Sequence, residues 1–359
     1  MVNTSELLRS SVRIAFDKKA PVTNFLTNFF EPEELTTSKV TLHGRAVKAI
    51  YSTDVKPGTD GNRFELSNFD EKEYEIPEYN DYDRLAAVDL DIQQFGQSKF
   101  AENVAKASSK IAKIQLTAAD MQELAIEKQA SDAFFQGKIK LVHGNAIEFQ
   151  KPASHTIDKS SAKWNTTAGD PISDIATACG LIKSDAKLAG GEYHIVMDAV
   201  TINAFLNNAA VKGNSNWNNG LTLNDIKFPE EMAGGANFHG RLTTGGKIIN
   251  VWSYDATYTI PTGKGFANEG KTVGFIPAGG VLVLPQKRTL KRFYGANAAV
   301  PEKFTDVLTD AVQLVKGRRY LYQYAVLGGG NCVVEAGCKS RPLVVLTDPN
   351  EVVTFNNVV

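Results

Sequence analysis

Apolar and polar residues recur along this chain with periods that change in a definite order. Near the start, Phe25/Phe29 and Leu26/Phe30 stand four apart, the spacing that stacks side chains on one face of a helical turn. The first forty residues carry no domain's worth of periodicity, so this greasy turn needs a surface, supplied by its own domain or by a second copy of the chain. The run VTLHGRAVKAIY from Val40 to Tyr51 reads as strand. The stretch STDVKPGTDGNRFELSNFDEKEY is polar and punctuated by Lys56-Pro57-Gly58 and Asp60-Gly61. That is the pattern of a long exposed hairpin with too little apolar content to fold alone.

From Glu102 to Gln136, Ala, Lys, Gln and Glu dominate, while Val104, Ile111, Ile114, Met121, Leu124, Ala125 and Phe134 keep helical spacing up to Gly137. The spacing predicts a long helix with room for one break near Thr117, where Thr117 and Asp120 are candidate caps. Continuous, it would span about 50 Å. KIKLVHGNAIEFQ follows as two short strands around Gly144-Asn145.

The second half alternates helix and strand. Asp170 is a good N-cap with Pro171 in the first helical position, opening ISDIATACGLIKS as a helix. EYHIVMD reads as strand and TINAFLNNAA as helix. The connections GNSNWNNG and MAGGANFHG then separate these from the strands KIINVWSY, VGFIPAGGVLVLP, RRYLYQYAVLG and PLVVLTD. No internal repeat is evident.

Composition narrows the function classes. The 359 residues leave room for about two domains. Lys+Arg total 39 against 40 Asp+Glu, a formal charge of -1 that offers no global attraction for a polyanion. The N-terminal MVNTSELLRSSVRIAFDKK is interrupted by Glu6, Arg9, Arg13 and Asp17 and lacks the apolar core of a secretory signal. No run of about 18 apolar residues marks a membrane span, so the expectation is a soluble protein, intracellular at synthesis. Cys179, Cys332 and Cys338 are a sparse set that fits a reducing compartment and incidental thiols. Cys332 and Cys338 have no Cys or His pair nearby to complete a zinc site.

Candidate chemistry is thin. Gly265 to Thr272 matches the phosphate-loop pattern, with Lys271 and Thr272 in the Lys-[ST] positions. That motif needs a helix starting at the lysine, so that amide groups and the helix dipole cradle phosphate. VGFIPAGGVLVLP follows instead and reads as strand and turn, so the segment is expected to be a Gly-rich turn. His43, His143, His155, His194 and His239 are scattered, without metal-ligand spacing, and no serine-nucleophile elbow occurs. Neither catalytic residues, metal nor cofactor is expected. The densest basic cluster, Lys287, Arg288, Lys291 and Arg292, with Lys316, Arg318 and Arg319 beyond it, would be a locally paired face or a contact to phosphates or a neighbour's carboxylates.

The order of parts carries a resemblance. FLTNFF with LTTSKVTL, the helix end DAFFQGKIKL with GNAIEF behind it, and the closing PLVVLTDPNEVVTF resemble the major capsid proteins of tailed phages. The likeness is to the Hong Kong 97 type fold, particularly the family typified by the phage lambda major head protein. It implies an α+β chain: an N-terminal arm over 1–44, an extended E-loop over 45–83, and a peripheral domain over 84–165 with its spine helix near 117–136. An α/β axial domain over 166–316, peripheral return strands over 317–350 and a return towards the axial sheet over 351–359 would complete it.

The resemblance also implies a non-enzymatic subunit of an icosahedral virion shell, assembled as hexamers and pentamers in the host cytoplasm around double-stranded DNA. A separate scaffold protein with no removed pro-region, a portal and a decoration protein would be its partners, with no membrane. Intersubunit contacts would fall on Phe25, Phe29 and Phe30 of the arm, Lys56, Asp60 and Arg63 of the loop, and Lys287, Arg288, Lys291 and Arg292. Some members of the family cross-link covalently through an E-loop lysine; Lys56 lies near the tip, but one lysine there does not indicate such a bond. The alternatives are a nucleotide triphosphatase using Lys271 and Thr272, and a tail-tube or other virion structural protein.

Overall fold

The computed structural model describes residues 24–44, 70–86, 103–143, 146–186, 191–213, 217–218, 235–263, 268–299, 313–328 and 331–359. A 3-10 turn over Leu26–Phe29 leads into β1 (Glu31–Glu34), then β2 (Lys39–Gly44), β3 (Asp70–Glu75) and β4 (Tyr79–Ala86). Helix α1 (Asn103–Gln136) is followed by β5 (Lys138–Ile139), β6 (Ile147–Glu148) and β7 (Thr156–Asp158). Helix α2 (Pro171–Asp185), β8 (Glu192–Met197), α3 (Ala199–Asn207), α4 (Ala209–Lys212) and β9 (Trp217–Asn218) come next. Then come β10 (Ala236–Thr244), β11 (Lys247–Tyr254), β12 (Thr257–Thr259), β13 (Thr272–Gly274), β14 (Val281–Pro285), β15 (Lys291–Tyr294) and β16 (Asn297–Ala299). The chain closes with β17 (Gln313–Val315), β18 (Tyr320–Gly328), β19 (Asn331–Ser340), β20 (Pro342–Val345) and β21 (Val353–Asn356).

A mixed seven-stranded sheet, β7-β21-β14-β8-β11-β10-β9, organises the second half. Its central strands are buried on both faces, and their alternation divides the core in two. Tyr193, Ile195 and Met197 of β8, with Val281 and Val283 of β14, pack with Ile175, Cys179 and Ile182 of α2. Val196, Leu282 and Leu284 face the other way, into a cluster with the N-terminal aromatic turn and Phe134 of α1. Helix α2 starts as expected: the Asp170 carboxylate accepts from the amides of Ile172 and Ser173 at 3.1 and 3.2 Å, with Pro171 behind it.

Two further sheets flank α1. One is β1-β15-β20; the other, β18-β19-β4, lies along the helix. The helix is 34 residues long and unbroken, which corrects the break allowed near Thr117. The Thr117 hydroxyl donates to the Lys113 carbonyl at 2.9 Å, a bond made within the helix, so it caps nothing.

Two other expectations change. TINAFLNNAA is interrupted at Asn208, whose extended backbone ends α3 and whose side chain caps α4 by accepting from Ala210. The stretch expected to connect at ANFHG forms the start of β10 instead, with a bulge between Phe238 and Gly240 where it pairs with β11. Of the strand expected from Val40 to Tyr51, β2 accounts for the part up to Gly44, and the rest lies outside the described residues.

Candidate assembly elements

The aromatic turn sits in its own chain's core. Phe25 is 0% exposed, and Phe29 and Phe30 are each 2% exposed. Phe25 lies 5.2 Å from Phe29 and 5.4 Å from both Trp252 and Tyr254, while Phe30 stacks 4.9 Å from Phe134 (ring centroids). The three rings expected at a subunit contact are thus covered, in this chain, by its own residues.

Glu127 of α1 holds the turn from below. Its carboxylate accepts the Leu26 amide at 2.7 Å, the Thr27 amide at 2.9 Å and the Tyr254 hydroxyl at 2.8 Å. One buried side chain thus joins the N-terminal turn, the long helix and β11. Burial pushes its carboxyl above the ordinary glutamate value, and the three donors oppose that shift.

The turn's other end is gripped by Arg288. Its Nε donates to the Phe29 carbonyl at 2.7 Å, Nη1 donates to Gln286 at 3.0 Å, and the guanidinium lies 4.8 Å from the Phe29 ring centroid. Burial lowers this group to about 10. Lys291 pairs with Glu33 at 2.7 Å, and Arg292 is buried against Tyr294 at 5.4 Å. Arg318 reaches Glu34 at 3.5 Å, and Arg319 pairs with Glu123. Arg288, Lys291 and Arg292 of the basic cluster thus have partners in their own chain, and Lys287 is exposed. Lys56, Asp60 and Arg63 lie outside the described residues.

Sequence reasoning missed a row of glutamines. Gln115, Gln122 and Gln129 stand seven apart on α1, so they share a face, and all three are buried. Their amides donate to the carbonyls of Tyr322, Cys338 and Pro342 at 3.1, 2.7 and 3.2 Å, and Gln129 accepts from the Val344 amide at 3.1 Å. The signal was the seven-residue recurrence, masked because glutamine normally reads as a solvent residue. Lys151 was also passed over: its ammonium donates to the Phe134 carbonyl at 2.9 Å and to the Thr354 hydroxyl at 2.6 Å, and burial lowers it to about 7.

The phosphate-loop match is a hairpin. β12 pairs antiparallel with β13, so a strand begins at Thr272 where the motif needs a helix. Gly270 donates its amide to Ile260 at 2.9 Å, and Lys271 donates to Asn268 at 3.0 Å. Asn268 and Gly270 carry the positive φ of a tight turn, 64° and 73°. The lysine is used within the turn and no helix dipole aims at it.

His194 is a sheet residue. Nε2 donates to Gln286, Nδ1 accepts from the Trp252 indole at 3.2 Å, and burial lowers the ring to about 4. Burial raises the thiols of Cys179 and Cys338 to about 12. Among the described residues, no cluster of His, Cys, Asp and Glu is arranged to hold a metal, and no helix is long and apolar enough to cross a membrane.

Residues 15–357 match the family model described as phage major capsid protein E. Two solved structures share the fold. A prophage protein of E. coli CFT073, assigned as its capsid protein, aligns at 16% identity over 99% of each chain with a TM-score of 0.63. The capsid of Ralstonia phage GP4 aligns at 9% identity over 94% of this chain and 91% of its own, with a TM-score of 0.50. No curated protein sequence matches the chain.

Proposed function

The chain belongs to the phage major capsid protein E family, and from that premise we propose how it builds a shell. It is a major capsid protein with the Hong Kong 97 type fold, a structural component of the virion. Its copies would form the hexamers and pentamers of an icosahedral shell around double-stranded DNA, with a separate scaffold, a portal and a decoration protein as partners. Catalysis has no part in this reading. The domain plan proposed is an arm over 1–44, an E-loop over 45–83, a peripheral domain over 84–165 with return strands over 317–350, and an axial domain over 166–316 to which 351–359 return.

The observation that carries the reading is the family match, which runs over 15–357. Two features of the fold support a reading of where neighbours would hold one another. The aromatic turn is consumed at home, whereas β2 and β3 form a two-stranded sheet with no third strand among the described residues. A ribbon of that kind is marginal alone and gains stability from contact with another surface. We therefore assign intersubunit holding to the 45–83 hairpin, including Lys56, Asp60 and Arg63.

Electron microscopy of purified assemblies tests the proposal. Closed shells are expected; tubes or rings would point to a tail protein, and strictly monomeric material in the presence of scaffold and packaging partners would refute self-assembly.

A further inference from the structure

We draw no further inference here: the strongest candidate, the face of the β18-β19-β4 sheet on which Tyr320, Tyr322 and Tyr324 stack beside the exposed Tyr82, carries nothing because nothing in the structure, among the described residues, shows what covers it.

Discussion

Glu127, at the residue scale, is a buried carboxylate with no cationic partner in hydrogen-bond contact among the described residues, and it accepts from three donors. Removing it strands those donors away from water. Glu127→Ala should therefore cost at least about 3 kcal/mol in denaturant unfolding, and Glu127→Gln less, since one acceptor oxygen remains. Phe29→Ala, which empties a site between Phe25 and Phe134, should cost about 3–5 kcal/mol of monomer stability. Intact monomer stability with failed assembly would instead return the ring to an intersubunit role. Two buried bases predict pH dependence. His194 is lowered to about 4 in the fold, so the unfolded chain binds the extra proton between about 4 and 6.5. Its contribution is full above 6.5 and lost as pH falls towards 4, and His194→Gln should flatten that part of a stability–pH curve. Lys151, lowered to about 7, works over a higher window: stability should rise from pH 7 towards 10, and Lys151→Met should remove the rise.

At the scale of elements, α1 is bound to its sheet by side-chain amides as well as apolar packing. Gln122 fills the space between the Cys338 carbonyl and Asp81. Gln122→Leu keeps the volume but leaves that carbonyl without its donor, and thermal unfolding should register a loss of about 1–3 kcal/mol. The sheet has its own constraint at Gly337. A Cβ there would meet the Asp81 carbonyl at 2.5 Å and the Tyr322 hydroxyl at 2.8 Å. Its absence lets Tyr322 cross β19 and donate to Asn80 at 2.7 Å. Gly337→Ala should loosen β4 from β19, read as faster amide exchange along β4 with little change in β8 or β14.

For the whole molecule, the decisive experiment concerns the hairpin. Excising residues 52–68 spares β3 and its pairing with β2, so a folded, soluble subunit is expected that fails to form stable particles. Normal shells from that deletion would move the intersubunit contact elsewhere. Among the described residues the order of elements was readable in advance, because the long helix, the capped helix at Pro171 and the late strands follow one another in the sequence as they do in the fold. The basic cluster was not readable as a surface, since Arg288 and Arg292 are consumed by Phe29 and Tyr294, partners distant or hidden in the linear pattern.

Local chemistry let the sequence alone determine the long helix, the Asp170 cap with Pro171, the hairpin in place of a phosphate loop, and most of the strands. Each depends on residues within a turn or two of one another, where propensity, capping and alternation act directly. Only the tertiary structure decided which surface takes the aromatic turn, why glutamines recur at 115, 122 and 129, and what becomes of the arginines. Burial and hydrogen bonding there join residues a hundred or more positions apart. A pattern of apolar spacing shows that a face must be covered, and the fold alone supplies what covers it.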